Sequence, residues 1–310
     1  MNTRIITMAT AQDGAFSVEE AAAVGVFSDE LTSLVRKREL FRVRRGAYVL
    51  ASRYRAAGPD EQYRMRVLAI MRSRPRTDRA SHHSALALLG ISFFKAPTML
   101  VTAESPRGCR QRRAGLLLHP PTSGPGYRFE VVRCVSAATA CVQVAARYGF
   151  EAGVSAMDSA LYLERCTRGE LEAALDHVAT RQRRRVAMAI AFAEPLTESV
   201  GESRTRIILS DAGFNVVPQV EITKGDTLIG RVDFLVDGCV AVEFDGLVKY
   251  AGKKGKMALA KEKDRETQIV RRGYEVVRII WSELEDPAAI IARIREAKAL
   301  ALRRRAAMTH

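Results

Sequence analysis

Apolar and polar positions in the first forty residues predict two short helices separated by a tight turn. Ser17 and Glu20 have the spacing of a capping box, in which each side chain satisfies a free backbone amide of the other at a helix start. That helix ends at Gly25, and a second one begins at Ser28. Apolar side chains recur three and four residues after Leu31, so one face of the second helix lies in a core and its polar face points outward.

Two strand-like runs follow and predict a hairpin with an arginine-rich tip. Residues 40–43 and 47–50 flank a short loop, 44–46, whose glycine suits a left-handed backbone. Two helices followed by a basic hairpin are typical of a winged helix-turn-helix, whose second helix enters the major groove while the hairpin holds phosphates. The alternative is a small helical domain with a solvated basic face. The residues placed on DNA by the first interpretation are Thr32, Ser33, Arg36, Lys37, Arg42, Arg44 and Arg45.

The middle of the chain alternates helical and strand-like patterns, which predicts a mixed α/β domain. Helices are predicted over 60–71, 84–89, 137–148, 152–163 and 169–179, and strands over 99–102, 116–119 and 129–133. His82 and His83 are adjacent, but no carboxylate or thiol pattern accompanies them. We therefore predict hydrogen bonds at a helix start for the two imidazoles and assign them no chemistry.

The last third of the chain begins with a carboxylate-bearing helix and continues into a sheet. The helix begins near Pro195, runs to Asp211 and carries Glu198 and Glu202. Strands are predicted over 214–222, 228–236, 240–244 and 274–281, with helices over 261–273 and from 284 onward.

A hairpin centred on Gly238 sets the register of the acidic residues in this sheet. It places Asp233 opposite Glu243 with Cβ atoms about 5 Å apart, and Asp245 points to the same face of its strand. Facing carboxylates repel each other, and a hard divalent cation such as Mg²⁺ compensates them with oxygen ligands. In the alternative, the two aspartates cap turns while the glutamate pairs with a basic residue.

Composition narrows the class of partner. The formal charge is +14 at pH 7, and the segment from Arg36 to Arg55 holds eight Arg or Lys residues against the single acid Glu39. Such a chain attracts polyanions, although charge alone leaves DNA, RNA and membrane surfaces open. An aromatic content of 6% offers few stacking surfaces, which disfavours RNA.

Cysteine usage and hydropathy indicate a cytoplasmic setting. The five cysteines are scattered without a C-x-x-C pair, so we predict reduced thiols. The sequence shows no signal-peptide pattern and no apolar stretch approaching the roughly 20 residues of a membrane span. We therefore expect a cytoplasmic protein with no membrane contact.

The N-terminal two-thirds of the chain resembles a family of antitoxins. The helix-helix-hairpin pattern and the run S-H-H-S-A-L-A-L-L-G at 81–90 are similar to the AbiEi-type antitoxins of type IV toxin–antitoxin systems. The resemblance implies a winged helix that binds operator DNA of its own operon. It also implies a following domain tied to neutralising a nucleotidyltransferase-like toxin.

The C-terminal third resembles the PD-(D/E)xK superfamily, in particular the branch akin to very-short-patch repair endonucleases. The likeness covers residues 195–295 and rests on R-V-D-F-L-V, V-A-V-E-F-D-G, K-E-K-D-R-E and R-R-G-Y-E-V-V-R-I-I-W. It implies Glu202, Asp233 and Glu243 as ligands of Mg²⁺ or Mn²⁺. Asp245 stands where the superfamily has lysine, so either the catalytic cation comes from elsewhere, with Lys263 and Lys249 as candidates, or the site dispenses with it. The implied catalytic residues are Glu202, Asp233, Glu243, Asp245 and Lys263.

Together these patterns predict a multi-domain α/β chain. A winged helix-turn-helix spans 1–55, a mixed α/β AbiEi-like domain 56–194, and a restriction-endonuclease-like α/β domain 195–310. Two functions fit this organisation, and both require double-stranded DNA. The first is a Mg²⁺-dependent DNA endonuclease in a toxin–antitoxin or phage-defence setting. The second is an antitoxin and transcriptional autorepressor whose nuclease-like domain is catalytically silent.

Overall fold

A computed structural model describes residues 3–106, 110–122, 124, 126–129, 131–245 and 262–308. Contacts along the chain divide it into two compact units, Met1–Ala193 and Glu194–His310. The predicted mixed α/β class is confirmed, because helices pack against three β-sheets. Within the described ranges, no helix has both the length and the apolar content that a membrane span requires.

The N-terminal unit opens with a three-stranded sheet and the helices around it. Its helices are α1 (Thr3–Thr10), α2 (Val18–Ala23), α3 (Ser28–Arg36) and α4 (Ala51–Ala56), and its strands are β1 (Ala15–Ser17), β2 (Leu40–Arg44) and β3 (Ala47–Leu50). The strands are antiparallel in the order β1-β3-β2. The predicted capping box is present at α2, since Ser17 and Glu20 each bond the other's backbone amide. Leu31 and Leu34 of α3 are buried in the core that this sheet shares with α1.

The second sheet of this unit has six strands in the order β6-β7-β5-β4-β9-β8. These strands are β4 (Arg79–Ala80), β5 (Val101–Glu104), β6 (Gln111–Arg113), β7 (Leu116–His119), β8 (Gly126–Phe129) and β9 (Val132–Val135). The helices are α5 (Pro59–Arg72), α6 (His82–Leu89), α7 (Ala137–Tyr148), α8 (Phe150–Tyr162), α9 (Arg168–Ala174) and α10 (Thr180–Phe192). The single strand predicted over 129–133 is wrong, because Phe129 and Val132 pair with each other across a hairpin.

The C-terminal unit is a four-stranded sheet with helices on both faces. Its elements are α11 (Val200–Asp211), β10 (Val216–Lys224), β11 (Thr227–Val236), β12 (Val240–Asp245), a helix α12 over 262–270, β13 (Glu275–Ile280) and α13 (Pro287–Met308). The order is β10-β11-β12-β13, with β12 and β13 parallel and the other pairs antiparallel. The helix predicted from Pro195 begins later, because Ser199 is its N-cap and accepts the Glu202 N–H.

Strand β12 is packed on both faces of this sheet. Val242 lies in an apolar cluster with Leu209 of α11 and Ile290 of α13. Ala241 lies in a second cluster with Ile269 of α12. Side chains alternate along a strand, so the residue at 243 points to the same face as Ala241. That face is the one covered by α12.

The predicted thiols agree with the structure where it describes them. Cys134, Cys141, Cys166 and Cys239 are buried and free of disulfides. Burial raises the pKa of the Cys134 thiol to about 11, as expected for inert core cysteines. Cys109 lies outside the described residues.

Helix α11 approaches β12 so closely that only glycine fits at position 201. A Cβ added to Gly201 lies 2.0 Å from the Phe244 ring. We expect Gly201→Ala to lower the free energy of unfolding by about 2 kcal/mol or more, because helix and ring must move apart. Urea unfolding followed by Trp281 fluorescence measures this, since the chain's single tryptophan packs edge-on against Phe244.

The matched control for this substitution is Gly169→Ala. Gly169 lies in α9 of the other unit, and a Cβ there meets nothing within 4 Å. The control is expected to leave the Trp281 transition in place. An unchanged midpoint for Gly201→Ala would contradict the close packing.

Candidate functional site

The hairpin predicted in the C-terminal unit has the expected register. Phe234 pairs with Val242, and continuing that antiparallel ladder by one residue brings Asp233 opposite Glu243. At this position the acceptor of the Phe244 N–H is a side chain and not a backbone carbonyl, because Asp233 Oδ2 accepts it at 2.6 Å. The two acids therefore occupy facing positions of the hairpin.

Glu243 is buried and is held by two arginines. Its Oε1 accepts from Arg265 Nη2 at 2.5 Å, and its Oε2 lies 3.4 Å from Arg278 Nε. Arg265 comes from α12, whereas Arg278 is the register partner of Glu243 on β13. The Arg278 guanidinium also lies 4.0 Å from Asp245. An ionised carboxylate is tolerated inside a sheet only with such partners.

In the described residues the cation that contacts Glu243 is arginine and not Lys263, and a catalytic lysine stays a prediction. Lys263 is exposed, whereas Arg265, two residues further along α12, reaches Glu243. Lys249 lies outside the described residues. Arg265 is one helical turn after Glu262 and bonds it as well, a spacing visible in the sequence. The sequence around Arg278 does not predict its contact with Glu243, because that contact depends on the parallel register of β12 and β13.

The carboxylate of Glu202 accepts hydrogen bonds at the start of its own helix, α11. Its Oε1 accepts from Ser199 Oγ at 2.7 Å, and its Oε2 accepts from Glu198 N at 3.0 Å and Gln219 Nε2 at 3.3 Å. Burial raises the pKa of Glu202, and these hydrogen bonds lower it in part. Glu198 is held in turn by Arg231 at 2.7 Å. Both carboxylates are engaged within the protein.

The pKa of Asp233 is raised well above its usual value. Burial raises the pKa of Asp233 to about 6, the bond from the Phe244 N–H opposes the rise, and the charges of Glu202, Glu243 and Glu198 add to it. Asp233 thus lies within electrostatic reach of the other predicted ligands. We call Glu202, Asp233 and Glu243 the acidic cluster.

The acidic cluster does not fit a divalent metal in this arrangement. Across the described ranges, no three His, Cys, Asp or Glu side chains form a group that could hold a metal ion. The reason lies in the partners, since Glu202 caps a helix, Glu243 is neutralised by arginines and Asp233 binds a backbone amide. The Mg²⁺ or Mn²⁺ ligand set implied by the resemblance is therefore not assembled here.

The N-terminal unit presents a second candidate site, which we call the basic face and define as Thr32, Arg36, Lys37, Arg42 and Arg45. All five side chains are exposed on α3 and the β2–β3 hairpin, and the predicted neighbour Ser33 is half-buried. Thr32 donates its hydroxyl hydrogen to the Ser28 carbonyl at 2.8 Å, which leaves its lone pairs for a donor on a ligand. In the part of the chain that is described, none of the four cationic members of the face pairs with a carboxylate.

Arg44 lies differently from the other predicted DNA contacts. It is half-buried, and its Nη1 is a buried donor without a hydrogen-bond partner among the described residues. Burial, and then the like charges of Arg74 and Arg113, lower the pKa of Arg44. The like charges of Arg74 and Arg113 act on Arg44, and Arg74 is itself paired with Asp78 at 2.6 Å.

A stacked aromatic pair, the exposed Phe41 and the half-buried Tyr54, lies beside the basic face and was not predicted from the sequence. Phe41 and Tyr54 stack with centroids 5.0 Å apart and planes 5° apart. With Arg38, Arg42 and Arg55 they line a cavity of about 340 Å³. Tyr54 lies on α4, a helix that the apolar pattern did not predict, so nothing in the sequence paired it with Phe41.

Comparison with known proteins finds distant relatives of this chain. No family model matches the chain. The uncharacterized proteins MT2308 and Rv2248 of Mycobacterium tuberculosis are each 28% identical to it over 218 residues, which cover 68% of this chain and 78% of each relative. Their names state no activity, so the functional argument rests on the two candidate sites.

The raised pKa of Asp233 predicts how stability depends on pH. The carboxyl binds its proton more tightly in the folded than in the unfolded chain, so the native state loses stability as pH rises from about 4 through about 6. Asp233→Asn removes the charge and keeps an oxygen for the Phe244 N–H. We expect it to raise the free energy of unfolding by about 1 kcal/mol at about pH 8 and to change little at about pH 4.

Urea unfolding at the two pH values checks this expectation. Asp226→Asn in the exposed β10–β11 turn is the control, and it should show no such pH dependence. An equal effect of Asp233→Asn at both pH values contradicts the electrostatic explanation.

Proposed function

We propose that this chain is a double-stranded DNA-binding regulator whose nuclease-like C-terminal unit is catalytically silent. The observation that carries the proposal is the basic face. Its four cationic side chains are exposed, cluster on one helix and one hairpin, and have no carboxylate partner among the described residues. Two helices followed by a hairpin in the order β1-β3-β2 are compatible with a winged helix-turn-helix.

In this proposal α3 lies in the major groove. Thr32 and Ser33 face base edges, because hydroxyls of this size contact bases without a fixed donor or acceptor role. Arg36 and Lys37 at the end of α3, together with Arg42 and Arg45 of the hairpin, contact phosphates on either side. Neutralising phosphates releases condensed counterions, which makes the affinity steeply dependent on salt.

The arginines around Glu243 support the proposal that the C-terminal unit is catalytically silent. A divalent metal at the acidic cluster has to displace Arg265 and Arg278, whose guanidiniums already neutralise Glu243. The two arginines supply the positive charge that a divalent metal would supply, but a guanidinium does not activate a bound water as a metal does. The second function considered from sequence is therefore favoured over the first.

One observation favours the alternative, a Mg²⁺- or Mn²⁺-dependent DNA endonuclease. Asp233 lacks a cationic partner among the described residues and lies close to two other acids, as in a site that awaits a cation. The toxin–antitoxin setting, with a nucleotidyltransferase-like toxin as partner, stays a prediction of the AbiEi resemblance. It is independent of whether the nuclease-like unit cuts.

A double substitution on the hairpin tests the DNA interface. We expect Arg42→Ala/Arg45→Ala to weaken binding to unrelated duplexes uniformly and to reduce the slope of log K against log salt by about 2, because each arginine neutralises one phosphate. Fluorescence anisotropy with a labelled duplex at several salt concentrations measures both quantities. The control Arg271→Ala/Arg303→Ala removes the same charge from exposed positions of the C-terminal unit. Equal losses of affinity in the two variants contradict a basic-face interface.

Nicking of supercoiled plasmid in Mg²⁺ or Mn²⁺ separates the silent regulator from the endonuclease. We expect no nicking by the native chain, by Asp233→Ala or by Glu243→Ala, because Arg265 and Arg278 hold the glutamate. We also expect no shift of the melting temperature when Mg²⁺ is added. Nicking that disappears in both variants overturns the silent assignment and leaves the DNA-binding half intact.

A further inference from the structure

A cavity lies in the N-terminal unit beside its six-stranded sheet, apart from the basic face. Its volume is about 410 Å³, within the roughly 300–1,000 Å³ of small-molecule sites. Loop and helix residues meet around it from β7, α6, α7 and the segment before α10. The polar residues that line it include His82, His119, Thr122, Gln143, Arg147 and His177.

The floor of this cavity is a closed hydrogen-bond network. Glu104 is buried, and its carboxylate accepts from Arg79 at 2.6 Å, Thr122 at 2.6 Å and Gln143 at 2.7 Å. The Gln143 Oε1 accepts the His82 N–H at 2.9 Å. Because each of these groups satisfies another, the floor is rigid and the carboxylate charge is already neutralised by Arg79.

His82 is held in a strained backbone conformation at this floor. Its φ is +51°, in the left-handed region that residues with a Cβ rarely adopt. It is the first residue of α6, two residues before the predicted start of that helix, and its N–H is bound by Gln143 from α7. Strain of this kind persists where surrounding structure over-determines it, often at ligand sites.

The two imidazoles above the floor leave one donor or acceptor unused. His82 and His119 stack with centroids 4.3 Å apart, and His82 Nδ1 lies 3.0 Å from Ser81 Oγ. His119 Nε2 is buried, and within the described residues it has no hydrogen-bond partner. A buried ring nitrogen without a partner is costly, so it calls for a group that the protein itself does not supply.

The charges around the imidazoles favour an anion. Arg147 lines the cavity from α7, and no carboxylate among the described residues pairs with it. Burial, then Arg147 and Arg110, lower the pKa of His119 to about 4, so the ring is neutral in the empty cavity. The other titratable groups that line the cavity are His82, His177 and the neutralised Glu104.

We propose that this cavity binds a small organic molecule bearing a carboxylate or phosphate group. The oxyanion lies between Arg147 and the free Nε2 of His119, and the body of the ligand lies against the apolar lining, which includes Val142, Ala146 and Val178. The site is separate from the proposed DNA interface, and its failure would leave that interface untouched.

Binding of simple aromatic anions tests the proposal. Phenyl phosphate and benzoate are titrated into the full chain, with benzamide as the uncharged analogue, and followed by calorimetry and by the histidine Cε1 resonances. We expect both anions to bind with a Kd of about 1 mM, with His119 shifting, and benzamide to bind at least about tenfold more weakly. The tighter of the two anions identifies the phosphate or the carboxylate as the natural group.

The pH dependence follows from the neutral imidazoles. A bound anion raises the pKa of His119 above its value of about 4, so the complex takes up protons and binding tightens as pH falls through the raised pKa toward about 4. Burial, and then Arg147, Arg110 and His83, oppose protonation of the ring, and His82, His177 and the ion-paired Glu104 are the other titratable groups that line the cavity. Calorimetry in buffers of different ionisation enthalpy measures the uptake.

Two variants locate the site within the fold. Arg147→Gln is expected to weaken anion binding about tenfold, whereas Arg184→Gln, exposed on α10 and outside the cavity lining, leaves it unchanged. Ala146→Phe fills the cavity and should abolish binding, and thermal unfolding confirms that each variant is folded. The proposal is overturned if the anions move His119 no more than benzamide does, or if Arg147→Gln and Arg184→Gln bind alike.

Discussion

The C-terminal unit depends on the pairing of one buried carboxylate, that of Glu243, with guanidiniums from two other elements. Apolar clusters cover both faces of β12, so the Glu243 carboxylate, which is 8% exposed, is poorly hydrated and needs a cationic partner. Arg265 supplies one partner from α12, and Arg278 supplies the other from β13. Neutralising Glu243 therefore requires both the parallel pairing of β12 with β13 and the packing of α12 against the sheet.

Net charge alone does not locate a surface for DNA, because basic residues serve several roles in this chain. Some are ion-paired inside the protein, where Arg72 pairs with Glu20 and Arg79 with Glu104. Four exposed cationic side chains without a carboxylate partner among the described residues lie on α3 and the β2–β3 hairpin. It is this concentration, rather than the total of +14, that supports the proposed interface.

Elements with a strong local signal were predicted well. The capping box at α2, strand β7 and helix α7 lie where capping and apolar periodicity place them. Helices α1, α4 and α10 were missed, because short or arginine-rich helices gain their stability from packing rather than from a clear amphipathic pattern. The anion cavity was missed for a related reason, since its polar groups come from separated segments and His82 was given a local role.

The sequence by itself determined the α/β class, the register of the hairpin around residue 238 and the concentration of positive charge between Arg36 and Arg55. Each of these follows from neighbours along the chain, through turn geometry, alternation or simple counting. Only the tertiary structure decided that Glu243 meets arginines instead of completing a metal site, and that His119 is left with a free ring nitrogen. Both outcomes depend on side chains brought together from distant segments, and no local pattern specifies such meetings.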